Sequence, residues 1–266
     1  MDIAKLRSQP HLSASAISEY IDCGLSYKFS RIDKIQPEFT SDALEFGSVI
    51  HKVLQNYYQK KMTGEIMALD EVLSLFEEYW KEVGESSLNI QYKDGKDFEA
   101  LLRDGKEMLK IYYEKQPHDD FTILAIEEPF SFLIEGLPIP IVGVIDLMEQ
   151  DESGTVIITD FKTSSKSYSA DEVDNSQQLT IYNMAVNANG YRDREILLRF
   201  DVLIKTKVPK FEQYYTTRSN EDMKRITKRI LSVWDGIRKG VFIPNDTNWK
   251  CKGCFYKNHC NEWFRR

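Results

Sequence analysis

The sequence predicts an α/β fold, a central mixed β-sheet flanked by helices. Apolar residues recur at helical spacing before residue 116 and again after residue 219. Between them the period shortens to that of strands, and turn signals cut the middle stretch into hairpin lengths. Strands bracketed by amphipathic helices have to be layered, helices on sheet.

Taken in order, Ser13 or Ser15 is suited to cap a short helix running through Ile17, Tyr20 and Ile21. A longer helix over about 43–61 sets Phe46, Ile50, Leu54 and Tyr57 on one face. Residues 70–83 and 97–115 read as two further amphipathic helices, a helical insertion over 62–118 forming a lid or side lobe. The stretches 121–130, 131–135, 139–149 and 155–162 are β-rich, broken by Gly136-Leu137-Pro138 and by Asp151-Glu152-Ser153-Gly154. A helix is expected over 173–189, strands near 195–205 and 212–217, and a basic helix over 220–239. No repeat or flexible linker divides the chain, so residues 1–266 read as a single domain with a metal-cluster region at 240–266 joined by Cys23.

No apolar run approaches the roughly 20 residues that span a bilayer, and the N-terminus lacks an apolar signal core, so a cytoplasmic protein without membrane partners is expected. The net charge of −7 argues against a polyanion partner taken whole. It is unevenly spread: from Lys205 onward there are 15 Lys/Arg against 6 Asp/Glu, leaving residues 1–204 at −16. The C-terminal quarter is therefore expected to lie along phosphates, or to be a solvated helix face.

The sharpest chemical signal is Val144-Ile145-Asp146 followed by Ile158-Thr159-Asp160-Phe161-Lys162. A turn at 151–154 pairs these strands antiparallel, with 146 opposite roughly 159 to within a residue. Asp146 and Asp160 become cross-strand neighbours, and period-2 alternation sets Lys162 on the Asp160 face and Phe161 on the other. Converging carboxylates repel unless a cation lies between them, and oxygen ligands favour Mg²⁺ or Mn²⁺. A neighbouring Lys can offset charge on a pentavalent phosphate or help orient an attacking water. The bland alternative for Asp-x-Lys is a surface salt bridge.

In order along the chain, these motifs resemble the PD-(D/E)XK nucleases, in particular the nuclease domain shared by RecB, AddB and the Cas-four-type CRISPR adaptation nucleases. Gly47-Ser48-Val49-Ile50-His51 resembles the family's helical motif, Ala125-Ile126-Glu127-Glu128-Pro129-Phe130 the strand before the hairpin, and Gln178-Leu179-Thr180-Ile181-Tyr182 its Gln-x-x-x-Tyr motif. The resemblance implies a restriction-endonuclease-like core. It also implies a metal held by His51, Asp146, Asp160 and the Phe161 carbonyl, with Lys162 as catalytic lysine. Glu127, in preference to Glu128, becomes a supporting acid, and Gln178 and Tyr182 orient the site and touch DNA. The implied activity is a Mg²⁺- or Mn²⁺-dependent deoxyribonuclease, an exonuclease acting on DNA ends or single strands in repair, recombination or CRISPR spacer acquisition. A separate helicase or CRISPR adaptation protein would be its partner. The alternative is a non-catalytic DNA-binding or scaffold subunit that keeps the fold.

All four cysteines fall into one pattern, Cys23 and then Cys251-x2-Cys254-x5-Cys260. A clustered set in a cytosolic protein suggests metal, and four thiolates suit zinc or an iron–sulfur cluster. One remote cysteine plus a C-terminal trio resembles the iron–sulfur staple of AddB and the Cas-four-type nucleases, which implies a 4Fe–4S cluster. Gly24 follows Cys23 where the family usually has Pro.

Overall fold

The computed structural model describes residues 2–86, 89–93, 95–116, 121–247 and 249–265. The chain opens with a short helix α1 (Ile3–Arg7), then α2 (Ala14–Asp22), α3 (Gly24–Tyr27) and a π-helical turn over Lys28–Ile32. Ser13 caps α2, its hydroxyl accepting from the Ala16 N–H at 3.2 Å. A two-residue strand β1 (Thr40–Ser41) leads into α4 (Asp42–Met62), capped by Ser41. Helices α5 (Leu69–Glu85) and α6 (Phe98–Lys115) pack on α4, and between them β2 (Ile90–Gln91) pairs in parallel with β1.

Five strands form the main sheet: β3 (Thr122–Phe132), β4 (Ile141–Gln150), β5 (Val156–Ser164), β6 (Ile196–Ile204) and β7 (Lys210–Thr216), side by side in that order. Every neighbouring pair is antiparallel except β5 and β6. A parallel pair needs a crossover, and α7 (Ala170–Asp174) and α8 (Gln177–Val186) supply it. Helix α9 (Asn220–Arg238), a 3₁₀ turn (Trp249–Gly253) and α10 (Lys257–Arg265) end the described chain.

Two expectations change. The stretch 131–135 is no separate strand, because β3 runs unbroken to Phe132. The helix expected over 173–189 is cut at Asn175–Ser176. There the Ser176 hydroxyl accepts from the Leu179 N–H to start α8, and the Val173 carbonyl accepts both the Ser176 N–H at 3.2 Å and an Arg218 N–H at 2.8 Å.

The sheet separates two apolar clusters. On one face α8 and α9 bury Leu179, Ile181, Ile226 and Ile230 against Ile158, Phe200 and Val202. On the other, α4, α5 and α6 bury Phe46, Ile50, Trp80 and Leu109 against Leu147, Phe161 and Leu203. The second face also carries a buried ion triad. Arg199 donates to Glu149 at 2.8 Å and lies 2.9 Å from Asp201. Burial pushes the Asp201 carboxyl up to about 6 against the pull of Arg199.

Strand alternation breaks at one level. Ile126 joins the α4 side although Phe130, an even number of residues on, joins the α8 side; Ile145 and Leu147 are split the same way in β4. The ladder pairs Ile126 with Leu147 and Glu128 with Ile145, which sets Glu127 opposite Asp146 at the break. Glu127 has a positive φ of 50°, a conformation that costs a non-glycine residue about 1–2 kcal/mol.

Candidate active site and cysteine centre

The β4–β5 ladder runs from Gln150–Val156 to Leu147–Thr159, so Asp146 aligns with Asp160, one residue along from the expected partner and inside the expected margin. Beyond Leu147 the Asp146 carboxylate accepts the Phe161 N–H at 2.9 Å, replacing the next ladder bond. The strands fork there, and the fork is the site.

His51 reaches the fork from α4, whose apolar face is anchored by Ile50, Val53 and Leu54. Its Nδ1 lies 3.4 Å from Asp146 Oδ2, and its ring stands edge-on to Phe161 at 6.1 Å. Ligand atoms of His51, Glu127 and Asp146 all lie within 4.8 Å of one another, the single such set among the described residues. Glu127 is half-buried and Glu128 exposed, so the choice between them falls on Glu127.

Asp160, 1% exposed, is held apart from that trio. Lys162 Nζ lies 2.5 Å from its Oδ2, while Gln178 Nε2 at 2.5 Å and the Tyr182 hydroxyl at 3.2 Å donate to its Oδ1. Gln178 also donates to the Tyr182 hydroxyl at 2.8 Å and accepts from Lys162 at 3.0 Å, closing the network. The four-residue spacing of Gln178 and Tyr182 on α8 makes this possible. Tyr182 is buried at the edge of the cleft, its hydroxyl donating to Asp160. Gly143 belongs to the same construction: a Cβ there would meet the Phe130 ring at 2.4 Å.

Electrostatics follow from burial. The Asp146 carboxyl is pushed well up by burial and then by Asp160. Burial raises Glu127 and lowers His51. Burial also pulls Lys162 down, but the Asp160 carboxylate outweighs it, and the ammonium is held on balance more firmly than in water. The arrangement pairs a neutral imidazole and two carboxylates, a hard N/O set, with a firmly protonated lysine beside them.

Above the fork opens a cleft of about 1180 Å³. Its lining comes from α1, the segment leading to α2, α2, the π-helical turn, α4, β3, β4 and α8, and no lining residue lies beyond Tyr182. The basic residues of α9, part of the C-terminal quarter expected to lie along phosphates or to be solvated, do not line the cleft among the described residues. They are solvated, as Lys224, Arg225, Lys228 and Arg229 are all exposed. Arg7 and Arg31 do line it and carried no motif by which sequence reading finds them.

The four cysteines surround a separate cavity of about 240 Å³. Cys23 Sγ accepts from the Asn245 N–H at 3.4 Å and Cys251 Sγ faces the Asn245 carbonyl at 3.2 Å. Burial raises the Cys254 and Cys260 thiols, and their sister cysteines raise them further. Gly24 is explained by contact: a Cβ there would lie 2.9 Å from the Ile243 nitrogen and 3.1 Å from the Phe242 Cα. The C-terminal strap thus lies directly on the first cysteine's neighbour. Gly24→Ala is expected to cost about 1–3 kcal/mol by overpacking, read by chemical denaturation, with faster proteolytic cutting near 241–245. Unchanged stability and cutting would mean that the strap is not seated there.

Residues 11–261 match the model of the PD-(D/E)XK nuclease superfamily. The Gene 69 protein of Mycobacterium phage D29 is 26% identical over 94% of this chain and 96% of its own length. An uncharacterized protein of Rickettsia bellii (strain RML369-C) is 28% identical over 55% of this chain, a match spanning 17% of that protein. A crystal structure from Eubacterium rectale, described as "Putative exonuclease", shares the fold with a TM-score of 0.56 at 12% identity, covering 91% of this chain and 87% of that one.

Proposed function

This chain belongs to the PD-(D/E)XK nuclease superfamily, and on that premise we propose that it is a Mg²⁺- or Mn²⁺-dependent deoxyribonuclease working at the β4–β5 fork. The observation that carries the reading is the convergence of His51, Glu127 and Asp146 within 4.8 Å beside the Lys162–Asp160 pair. Those three groups, with the Phe161 carbonyl, would hold the divalent ion, and Asp160 would complete the set. When bound, the ion supplies Lewis-acid polarisation of the scissile phosphate and acidifies the attacking water. His51 is lowered by burial and so offers a neutral nitrogen. Lys162, kept protonated chiefly by Asp160 against its burial, meets the negative charge that develops on the phosphate. Gln178 and Tyr182 fix the Asp160 carboxylate so that it does not turn as charge builds.

We extend the reading to an exonuclease acting on DNA ends or single strands, of RecB/AddB-like type, serving repair, recombination or CRISPR spacer acquisition beside a separate helicase or adaptation protein. The four cysteines line one cavity, which supports a metal centre there; our reading is a 4Fe–4S cluster, with zinc as the alternative. End-labelled single- and double-stranded DNA with Mn²⁺ tests the activity, and protein purified without oxygen tests the cluster. Cleavage ladders and brown protein containing iron and sulfide are expected. Tight DNA binding with no cleavage would replace the enzyme by a binding subunit, and colourless zinc protein would replace the cluster.

A further inference from the structure

The cleft above the fork has a divided charge: Glu127 and Asp146 form its floor, while Arg7, Arg31 and Lys52 stand on its rim. A floor of carboxylates repels the phosphates that a nuclease has to admit, so the rim has to hold them. The three cations are not equally available. Lys52 lies 3.3 Å from Glu82 and 3.4 Å above the Tyr79 ring, committed to α5. Arg31 spends only its Nε, donating to Glu19 Oε2 at 2.9 Å, and its terminal amino groups have no protein partner among the described residues. Glu19 is itself fixed by the Ser30 hydroxyl, so the guanidinium is aimed before any ligand arrives.

Arg31 sits on the π-helical turn, whose Phe29 packs against Tyr256 beside the cysteine cavity. Arg7, on α1 against β3 and β4, is exposed and makes no ion pair or hydrogen bond among the described residues. It lines the same cleft as Glu127. An exposed guanidinium on the cleft wall with no protein partner is open to an anion.

We propose that Arg7 and Arg31 grip the backbone phosphates of the substrate strand as it crosses the cleft, with Glu19 as the residue that positions Arg31. This rests on the nuclease reading and names the surface that holds its substrate. Guanidinium groups with free N–H forks suit phosphate oxygens, and such contacts carry affinity with little regard to sequence.

Binding separates this from chemistry. In an Asp160→Asn background with EDTA, fluorescence anisotropy of a labelled oligothymidylate is followed across a salt series. Arg7→Gln and Arg31→Gln should each weaken binding by on the order of tenfold and reduce the salt slope by about 1. Arg31→Lys should keep the slope and lose part of the affinity. Glu19→Gln should lower affinity with the slope unchanged, because charge is kept while aim is lost. Lys228→Gln on α9 should alter neither. All these side chains are exposed or half-buried, and an unchanged Mn²⁺-induced rise in Tm, measured in the wild-type background, checks that the fold and metal seat are intact. If wild type cleaves DNA while both Gln variants bind like the parent, or if Lys228→Gln costs as much, the clamp is wrong and the nuclease reading stands. If wild type neither cleaves nor binds, both fall.

Discussion

Asp160→Asn protein is expected to fold and to lose cleavage by on the order of 10³-fold or more, the scale of removing a preorganised charge from a buried reaction centre. The substitution keeps the side chain's shape and its acceptor oxygen for Gln178 and Tyr182. What it removes is charge. Asp146 is held protonated-prone by burial first and Asp160 second, so the variant relieves repulsion among the carboxylates and leaves Lys162 without its counter-ion. These two effects on stability oppose each other, and the apo protein should melt near the wild type. The metal response should not survive: Mn²⁺ at about 100 times its Kd would stabilise wild type by about 2.7 kcal/mol, and this Tm shift should shrink sharply in the variant. Lys162→Met should lose about 10²- to 10⁴-fold in kcat while retaining the metal-induced shift. Full activity in both variants, measured on end-labelled DNA, would remove the fork as the site of chemistry.

Cys254→Ser is expected to be the most damaging change outside the fork. Burial and the neighbouring cysteines both disfavour ionised thiols here, so four thiolates can share this cavity only around a cation that discharges them. The centre joins α3, through Cys23 and Leu25, to the tail that carries Tyr256 and Cys260. Losing one ligand should cost about 3–5 kcal/mol, comparable to removing a structural disulfide, which in a chain of this size is about 10 °C in Tm. Absorbance, iron and sulfide content and an oxygen-free thermal scan are the measurements. A variant with wild-type Tm and an uncut tail would show that the cysteines do not staple the chain.

The hairpin is legible in the sequence because its signals are local: apolar runs of strand length, a turn at 151–154 and period-2 alternation settle which side chains share a face. That Gln178 and Tyr182 share a helix face is legible too, four residues being about one helical turn, whereas their place in the site comes only through the family resemblance. His51 is different. Nothing within α4 distinguishes it from a core histidine, and its role follows from meeting Asp146, 95 positions away in the sequence and reached only by folding. Arg7 and Arg31 are illegible outright, since an exposed arginine becomes meaningful only when a cleft closes around it. The break at Asn175–Ser176 lies hidden in a helix-length pattern because Arg218, distant in sequence, braces it by donating to the Val173 carbonyl. The positive φ of Glu127 likewise falls where the β3–β4 ladder skips a pair, a break that no local signal in the sequence marks.

The exchange of faces at Glu127 and Asp146 has a consequence for how the protein tolerates change. His51 rides on a helix seated in one apolar cluster, whereas Gln178 and Tyr182 ride on a helix seated in the other. The fork is thus a seam between two separately packed bodies. A slackened contact in either body is expected to tilt one set of side chains against the other, so an interior substitution remote from the cleft should lower activity before it unfolds the chain.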